Sequence, residues 1–427
     1  MEFGTRVKQR LPLVLIGFCA FFFHCQSEQN IWRGNVFFEA GKLDEAIEAY
    51  KSALRTNPDS TVAHYNLGRV YYEKGLLQSA IREYQAAIRL DSDTAAFHNA
   101  LARVHLDMEE FNKAVSEYEA ALRLDPDYAA PYQGLGTIYY IVGDLDKAIA
   151  SYQAALHYDS DFADAHYSLG RCYDDQGYIN KAITAYEAAI AAHSKSAPAH
   201  NHLGKCYYKQ GTVDKAIFHY QTAIELNPSY SQAYHNLGQA YASQGKKDKA
   251  IEALKEAVRI SPDFAASHWL LGTMYLRREL QQRTEAAVRL AMSNDEQLSQ
   301  QLPALVDHFR ATKNINDILS DIEQSSIPED IKQDVLASIR NDESSFEQAI
   351  DAYTTATKIS AGPATWYYTL AFLYALKNRE ELCIEMLEEM AIRDSALVER
   401  VNQSTHFQSI RASEEFQSLI NSLDRHD

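Results

Sequence analysis

Between Ser168 and Ile190 the chain reads SLGRCYDDQGYINKAITAYEAAI, with Arg171, Cys172, Tyr173, Asp174 and Asp175 in a row. Such residues could do nucleophilic chemistry: a thiolate attacks, a carboxylate moves a proton, a guanidinium steadies an anion. The spacing speaks against it. Neighbouring helix positions point apart, so Asp174 and Asp175 cannot work as a carboxylate pair. Five histidines, His64, His98, His166, His200 and His268, share one recurring slot and could be drawn as a metal ladder. They lie a full period apart, too far to share an ion whose ligands sit about 2 Å from it. The chain has no GxxxxGK[ST], HExxH, GxSxG or GxGxxG sequence. The frames for phosphate-cradling, zinc-protease, serine-hydrolase and dinucleotide chemistry are therefore missing. No catalytic residue, metal site or cofactor is expected.

The stretch is one copy of a repeat. Shifted forward by 34 residues it becomes HLGKCYYKQGTVDKAIFHYQTAI, and shifted back GLGTIYYIVGDLDKAIASYQAAL. The period runs from about Ser27 to at least Gly272. Leu67, Leu101, Leu135, Leu169, Leu203, Leu237 and Leu271 recur in register, each followed by Gly, or once by Ala102. Ala46, Ala80, Ala114, Ala148, Ala182, Ala216 and Ala250 hold another place without exception, with Tyr four residues later in the first six. Apolar places three and four apart predict two amphipathic helices per repeat. Gly75, Gly143, Gly177, Gly211 and Gly245 fall between them, where a helix needs a left-handed terminator. A lone pair cannot bury its apolar stripe, so the repeats must stack. Cys172 and Cys206 share a slot beside core-facing residues. Equivalent atoms of stacked pairs lie about 10 Å apart, beyond the roughly 7 Å between Cα atoms that a disulfide spans. Both are expected to be core filler, as is Cys383.

The L-G-x-x-Y and A-x-x-x-Y places, with Pro58, Pro126, Pro228 and Pro262 closing their blocks, resemble the tetratricopeptide repeat family. The family's usual first Trp is replaced by His or Tyr at His64, His98, Tyr132, His166, His200, Tyr234 and His268. The resemblance implies an all-α, right-handed superhelical solenoid of antiparallel helix pairs, with an inner groove formed mainly by the first helix of each. The expected organisation is a leader over 1–26, about eight repeats over 27–292, an irregular helical connector over 293–329, two divergent repeats over 330–397 and a capping helix over 398–427. The eighth block begins well at His268, but Thr284 and Val288 stand where Ala and Tyr belong. The pattern returns with Ala349, Tyr353 and Ala356.

The leader has its own chemistry. Arg6, Lys8 and Arg10 precede the apolar run Leu11–Phe23, which ends in FFHC. The run is shorter than the roughly 20 residues a membrane-spanning helix needs and reads as an export signal. Its end resembles bacterial lipoprotein signals, with Cys25 as the lipidation candidate, although Phe23 and His24 stand where small residues are usual. An exported, membrane-anchored protein of the cell envelope, facing the periplasm or exterior, is the expectation. Cleaved soluble export and an uncleaved anchor are the alternatives. The odd number of remaining cysteines is neither a disulfide nor a zinc pattern.

What packing leaves free carries the functional expectation. The first-helix places facing the groove hold Tyr65, Arg69 and Tyr72, then Asn99, Arg103 and Leu106, then Gln133, Thr137 and Tyr140. Tyr167, Arg171 and Asp174 follow, then Asn201, Lys205 and Tyr208. Cations flanked by Tyr thus run along a chain of net charge −17. That net charge argues against nucleic acid, which needs a basic face. Guanidinium binds carboxylate in bidentate fashion and Tyr gives contact area at low entropic cost. The expected partner is an extended acidic or aromatic segment of another protein. Asn66 and Asn236 resemble the inner Asn ladder of the O-GlcNAc transferase repeats, whose transferase domain has no counterpart here. The repeats that clamp chaperone tails use cations where this chain has Ile31, Ala96 and Ala100, so that role is not expected. A non-enzymatic scaffold is the leading reading. An enzyme with activity in 293–427, or an architectural protein that self-associates, are the rivals; the oligomeric state is open.

Overall fold

Tyr71, Gly75 and Leu76 show how one repeat is made. Gly75 takes φ +72°, its N–H donates to Tyr72 O at 2.8 Å, and the Leu76 N–H reaches back to Tyr71 O at 2.8 Å. This left-handed terminator ends one helix and turns the chain into an antiparallel second. Gly143, Gly177, Gly211 and Gly245 repeat it, with φ between +73° and +85°. In one repeat Glu109 stands in that place with φ 58°.

The computed structural model describes residues 26–278, 345–377 and 379–394, with 401, 407, 410, 411 and 413–423. Residues 1–25 of the leader expected over 1–26, and all of 279–344 with the connector expected over 293–329, lie outside the described residues. The described chain divides into two bodies, Met1–Lys195 and Ser196–Asp427. Among the described residues there is no strand, and no helix is long and apolar enough to cross a membrane.

The first body holds α1 (26–39), α2 (Leu43–Thr56), α3 (Thr61–Glu73), α4 (Leu77–Leu90), α5 (Ala95–Asp107), α6 (Phe111–Leu124), α7 (Ala129–Ile141), α8 (Leu145–Tyr158), α9 (Ala163–Asp175) and α10 (Ile179–Ala192). From α3 on, each odd-numbered helix packs on the even one that follows; α2, α4, α6 and α8 each pack on the next odd one, and α3, α5, α7 and α9 touch in turn. This is the expected array of helix pairs. The glycine after each recurring Leu explains the close approach. A Cβ on Gly68 would lie 2.7 Å from the Tyr84 ring, and one on Gly136 2.6 Å from Tyr152. Each missing side chain is the slot for a ring that is nearly fully buried. Burying a large side chain contributes roughly 1.5–3 kcal/mol. Two of these phenols keep a partner as they do so: Tyr50 donates to Asn35 Oδ1 at 2.6 Å and Tyr152 to Thr137 Oγ1 at 3.4 Å.

The second body holds α11 (Ala197–Lys209), α12 (Val213–Leu226), α13 (Ser231–Ser243), α14 (Lys247–Ile260), α15 (265–278), α16 (Ser345–Ile359), α17 (Ala364–Leu376), α18 (Glu380–Arg393) and α19 (Glu414–Leu423). Its first two pairs repeat the pattern. The next pair joins α15 to α16 across the undescribed stretch. A Cβ on Gly272 would lie 2.9 Å from the Tyr353 ring, whose phenol donates to Thr273 Oγ1 at 3.0 Å. That is the Tyr152–Thr137 bond again, between residues 80 apart in sequence instead of 15. Tyr353 therefore takes the second-helix place against α15. α17 is buried almost all round, from Tyr367 through Leu376, as a helix apolar on every face must be. Phe407, Ile410, Phe416 and Leu419 belong to the same core, with Phe407 edge-on to Tyr368 at 5.7 Å.

Candidate functional site

The outward places of α3, α5 and α9 carry three arginines, each lying over aromatic rings. Arg69 Cζ sits 5.0 Å from the Phe38 ring centroid and 6.0 Å from that of Tyr65. Arg103 lies 5.3 Å from the Tyr72 ring and Arg171 4.4 Å from the Tyr140 ring. Each such contact contributes about 0.5–1 kcal/mol at an exposed site. The carboxylates nearby are otherwise engaged. Tyr72 donates to Asp107 Oδ2 at 2.5 Å, and Tyr140 to Asp175 Oδ2 at 2.6 Å. Burial first, then this bond to the carboxylate, raises both phenols above the usual range, so each stays a neutral donor. Among the described residues Arg69, Arg103 and Arg171 have no carboxylate at ion-pair distance.

Between the first two of these arginines lies a cleft of about 250 Å³. Tyr65, Arg69, Tyr72, Asn99 and Arg103, all expected in the site, line it together with Glu73, Tyr84, Ala100 and Tyr128. Asn99 is 8% exposed. Its Nδ2 donates to the Tyr128 hydroxyl at 3.2 Å, but its Oδ1 is buried with no donor in the protein. The second body shows what is missing. There Asn201 Nδ2 donates to Tyr230 at 3.3 Å, and Asn201 Oδ1 accepts from Asn236 Nδ2 at 2.9 Å. The place of Asn236 is held by Gly134 in the first body. A Cβ there would lie 2.2 Å from Tyr118, so no side chain can reach Asn99 from it. An unsatisfied buried acceptor costs about 1–3 kcal/mol, which a donor brought by a ligand would offset.

The other expected residues are placed as follows. Tyr167 leans on Tyr186 at 5.8 Å, on the same helix as Arg171. Asn66 donates to Asn35 at 3.1 Å. Asn201 and Asn236 are buried and turned toward each other, while Lys205 is exposed and Tyr208 half-buried. Reasoning from sequence missed Tyr84, Tyr128, Asp107 and Asp175. A signal existed for one of them: Asn99–Tyr128 and Asn201–Tyr230 share a 29-residue spacing.

The residues that opened the question of chemistry are accounted for. Cys172 is fully buried and its thiol is pushed up to about 11, chiefly by burial, so it is no thiolate near neutral pH. His64 and His98 bond Glu83 and Glu117 of their own repeats, each at 2.6 Å. Among the described residues no three His, Cys, Asp or Glu side chains could hold a metal ion.

Stacked helix pairs that spend their apolar residues on one another and leave polar and aromatic faces outward define a helical-repeat scaffold. A family model described as TPR repeat matches residues 34–75, 68–109, 102–143, 136–177, 170–211, 206–245 and 238–278, more than half of the chain. The protein belongs to the tetratricopeptide repeat family, whose repeats mark protein–protein interaction scaffolds. Among solved structures it is similar to YrrB, "a TPR protein with an unusual peptide-binding site", at 25% identity and a TM-score of 0.38, over 43% of this chain and 95% of that one. It is similar to MamA at 27% identity and a TM-score of 0.34, over 40% and 93%. Pseudomonas aeruginosa pilF matches at 19% identity and a TM-score of 0.44, over 47% and 92%. No curated protein matches the sequence.

Proposed function

We propose that the outward face of α3, α5, α7 and α9 binds an extended acidic segment of a partner protein, and that the protein is a non-enzymatic adaptor. The observation that carries this reading is the set of three guanidiniums without carboxylate partners, each lying over an aromatic ring. In a chain of net charge −17, cations left unpaired beside occupied carboxylates await an anion from outside. Asn99 Oδ1 supports the same reading, because an extended backbone supplies N–H donors at regular intervals. Interfaces of this kind rest on a few Arg and aromatic residues, each costing about 1–4 kcal/mol on truncation. The test is capture of partners from the native cell by the full-length chain and by its Arg103→Glu/Arg171→Glu double variant. A partner held equally by both ends the assignment.

The envelope location belongs to the same proposal and rests on the leader sequence around Cys25. Cys25→Ser is expected to move the protein out of the membrane fraction. Retention there would replace a lipid with an uncleaved anchor.

A further inference from the structure

The arginines of α5 and α9 are the same device built twice. In each, a Tyr of the preceding first helix lies under the guanidinium and donates a hydroxyl hydrogen bond to an Asp four residues beyond the Arg: Tyr72, Arg103 and Asp107, then Tyr140, Arg171 and Asp175. The two hydroxyl bonds differ by 0.1 Å and join residues the same 35 positions apart. The helix between the devices lacks it: α7 carries Thr137 in the Arg place, and Leu106 stands in the Tyr place. Arg69 lacks it too, because Phe38 under it has no hydroxyl to engage an acid.

The brace has a physical consequence. A carboxylate that already accepts a short bond from a phenol is held away from the arginine, and the ring keeps the guanidinium in place. The arginine thus enters binding with little side-chain freedom to lose. Two braced arginines, and not three, are preorganised. They belong to α5 and α9, separated by one first helix, which touches both. Packed helices lie about 8–10 Å apart, so the two guanidiniums stand roughly 20 Å apart. An extended chain rises about 3.3 Å per residue and alternates faces. About six residues cover the distance, and six is even, so both side chains point the same way.

Resting on the reading of this face as a peptide site, we infer that the partner carries two carboxylate side chains six positions apart in an extended stretch, one on Arg103 and one on Arg171. The intervening same-face side chains meet the uncharged Thr137 region and need no charge.

The test uses the full-length chain and fluorescent 14-residue Ser/Thr/Ala peptides with two Glu at spacings of three, five, six and eight, plus a peptide with one Glu. Anisotropy is read at physiological salt. The i, i+6 peptide is expected to bind about 10-fold more tightly than the others, or 1.4 kcal/mol. Arg103→Gln and Arg171→Gln should each reduce it to the single-Glu value while thermal midpoints stay unchanged. Equal binding at spacings of five and six, or an advantage that survives either variant, overturns the two-point spacing and leaves the peptide site standing. Failure of every peptide to bind overturns the site itself.

Discussion

At the residue scale, four side chains have environments that fix measurable behaviour. Tyr140 holds Asp175 through its hydroxyl, so Tyr140→Phe keeps the ring under Arg171 and frees the carboxylate to neutralise it. Binding of an acidic peptide is expected to weaken by up to about 5-fold, the worth of an exposed ion pair, with folding unchanged. An unaltered affinity would mean that the brace does nothing. Glu109 holds the left-handed place that glycine holds elsewhere; Glu109→Gly relieves that strain and should raise stability by about 1 kcal/mol, seen as a higher thermal midpoint. His235 lies at 4.9 Å against Phe264 with Nδ1 2.9 Å from Ser267 Oγ, and burial pushes its pKa down to about 4. The unfolded chain takes up this proton near pH 6.5 and the folded one only near 4. Its contribution is therefore complete above 6.5 and is lost as pH falls through that window. Between pH 7.5 and 5 the loss is on the order of 2 kcal/mol; in His235→Gln, urea unfolding should show a drop smaller by that amount. His64 works with the opposite sign, since its bond to Glu83 raises its pKa.

At the element scale, the pairing of Gly with Tyr was legible in the sequence because it recurs at a fixed offset within each repeat. The exception was not. Ala102 replaces the glycine opposite Tyr118, and Tyr118 instead crowds the place where Gly134 lacks a side chain, at 2.2 Å from a hypothetical Cβ. The extra methyl in one repeat is accommodated by a missing side chain in the next, a coupling that comparison of repeats one at a time cannot reveal. The same Gly134 leaves Asn99 Oδ1 without a donor, so a packing adjustment also shapes the cleft. This gives a double-mutant experiment. Gly136→Ala puts a Cβ 2.6 Å from Tyr152 and should cost about 1–3 kcal/mol through overpacking. Adding Ser168→Gly recreates the native Ala102 and Gly134 arrangement one repeat later, and is expected to recover part of that loss. A strictly additive result would show that the ring cannot shift as Tyr118 has.

At the scale of the whole molecule, period and composition made the stack of pairs readable, and they failed where the chain leaves the period. Residues 345–359 carry a second-helix pattern, Ala349, Tyr353 and Ala356, which by sequence belongs to the first of two divergent repeats over 330–397; which first helix it completes is a matter of packing. The packing answers that: Tyr353 fills the slot at Gly272, and Trp269 lies 4.1 Å from Tyr353 and 4.6 Å from Trp366, stacked on the latter. Two helices that other repeats join through three residues, such as Lys74–Leu76, are thus separated in sequence here by residues 279–344. If the α15–α16 pair is a repeat of the ordinary kind, replacing 279–344 by Lys-Gly-Leu should leave the tail folded on the array. Bringing the two helices of a pair together across three residues instead of 66 lowers the entropy cost of their encounter by about 2–3 kcal/mol. The shortened chain is thus expected to unfold at higher urea, with Trp269 and Trp366 fluorescence as buried as before. Selective proteolysis of 345–423 in the shortened chain, with the first body intact, would show instead that the tail depends on the excised stretch for its place.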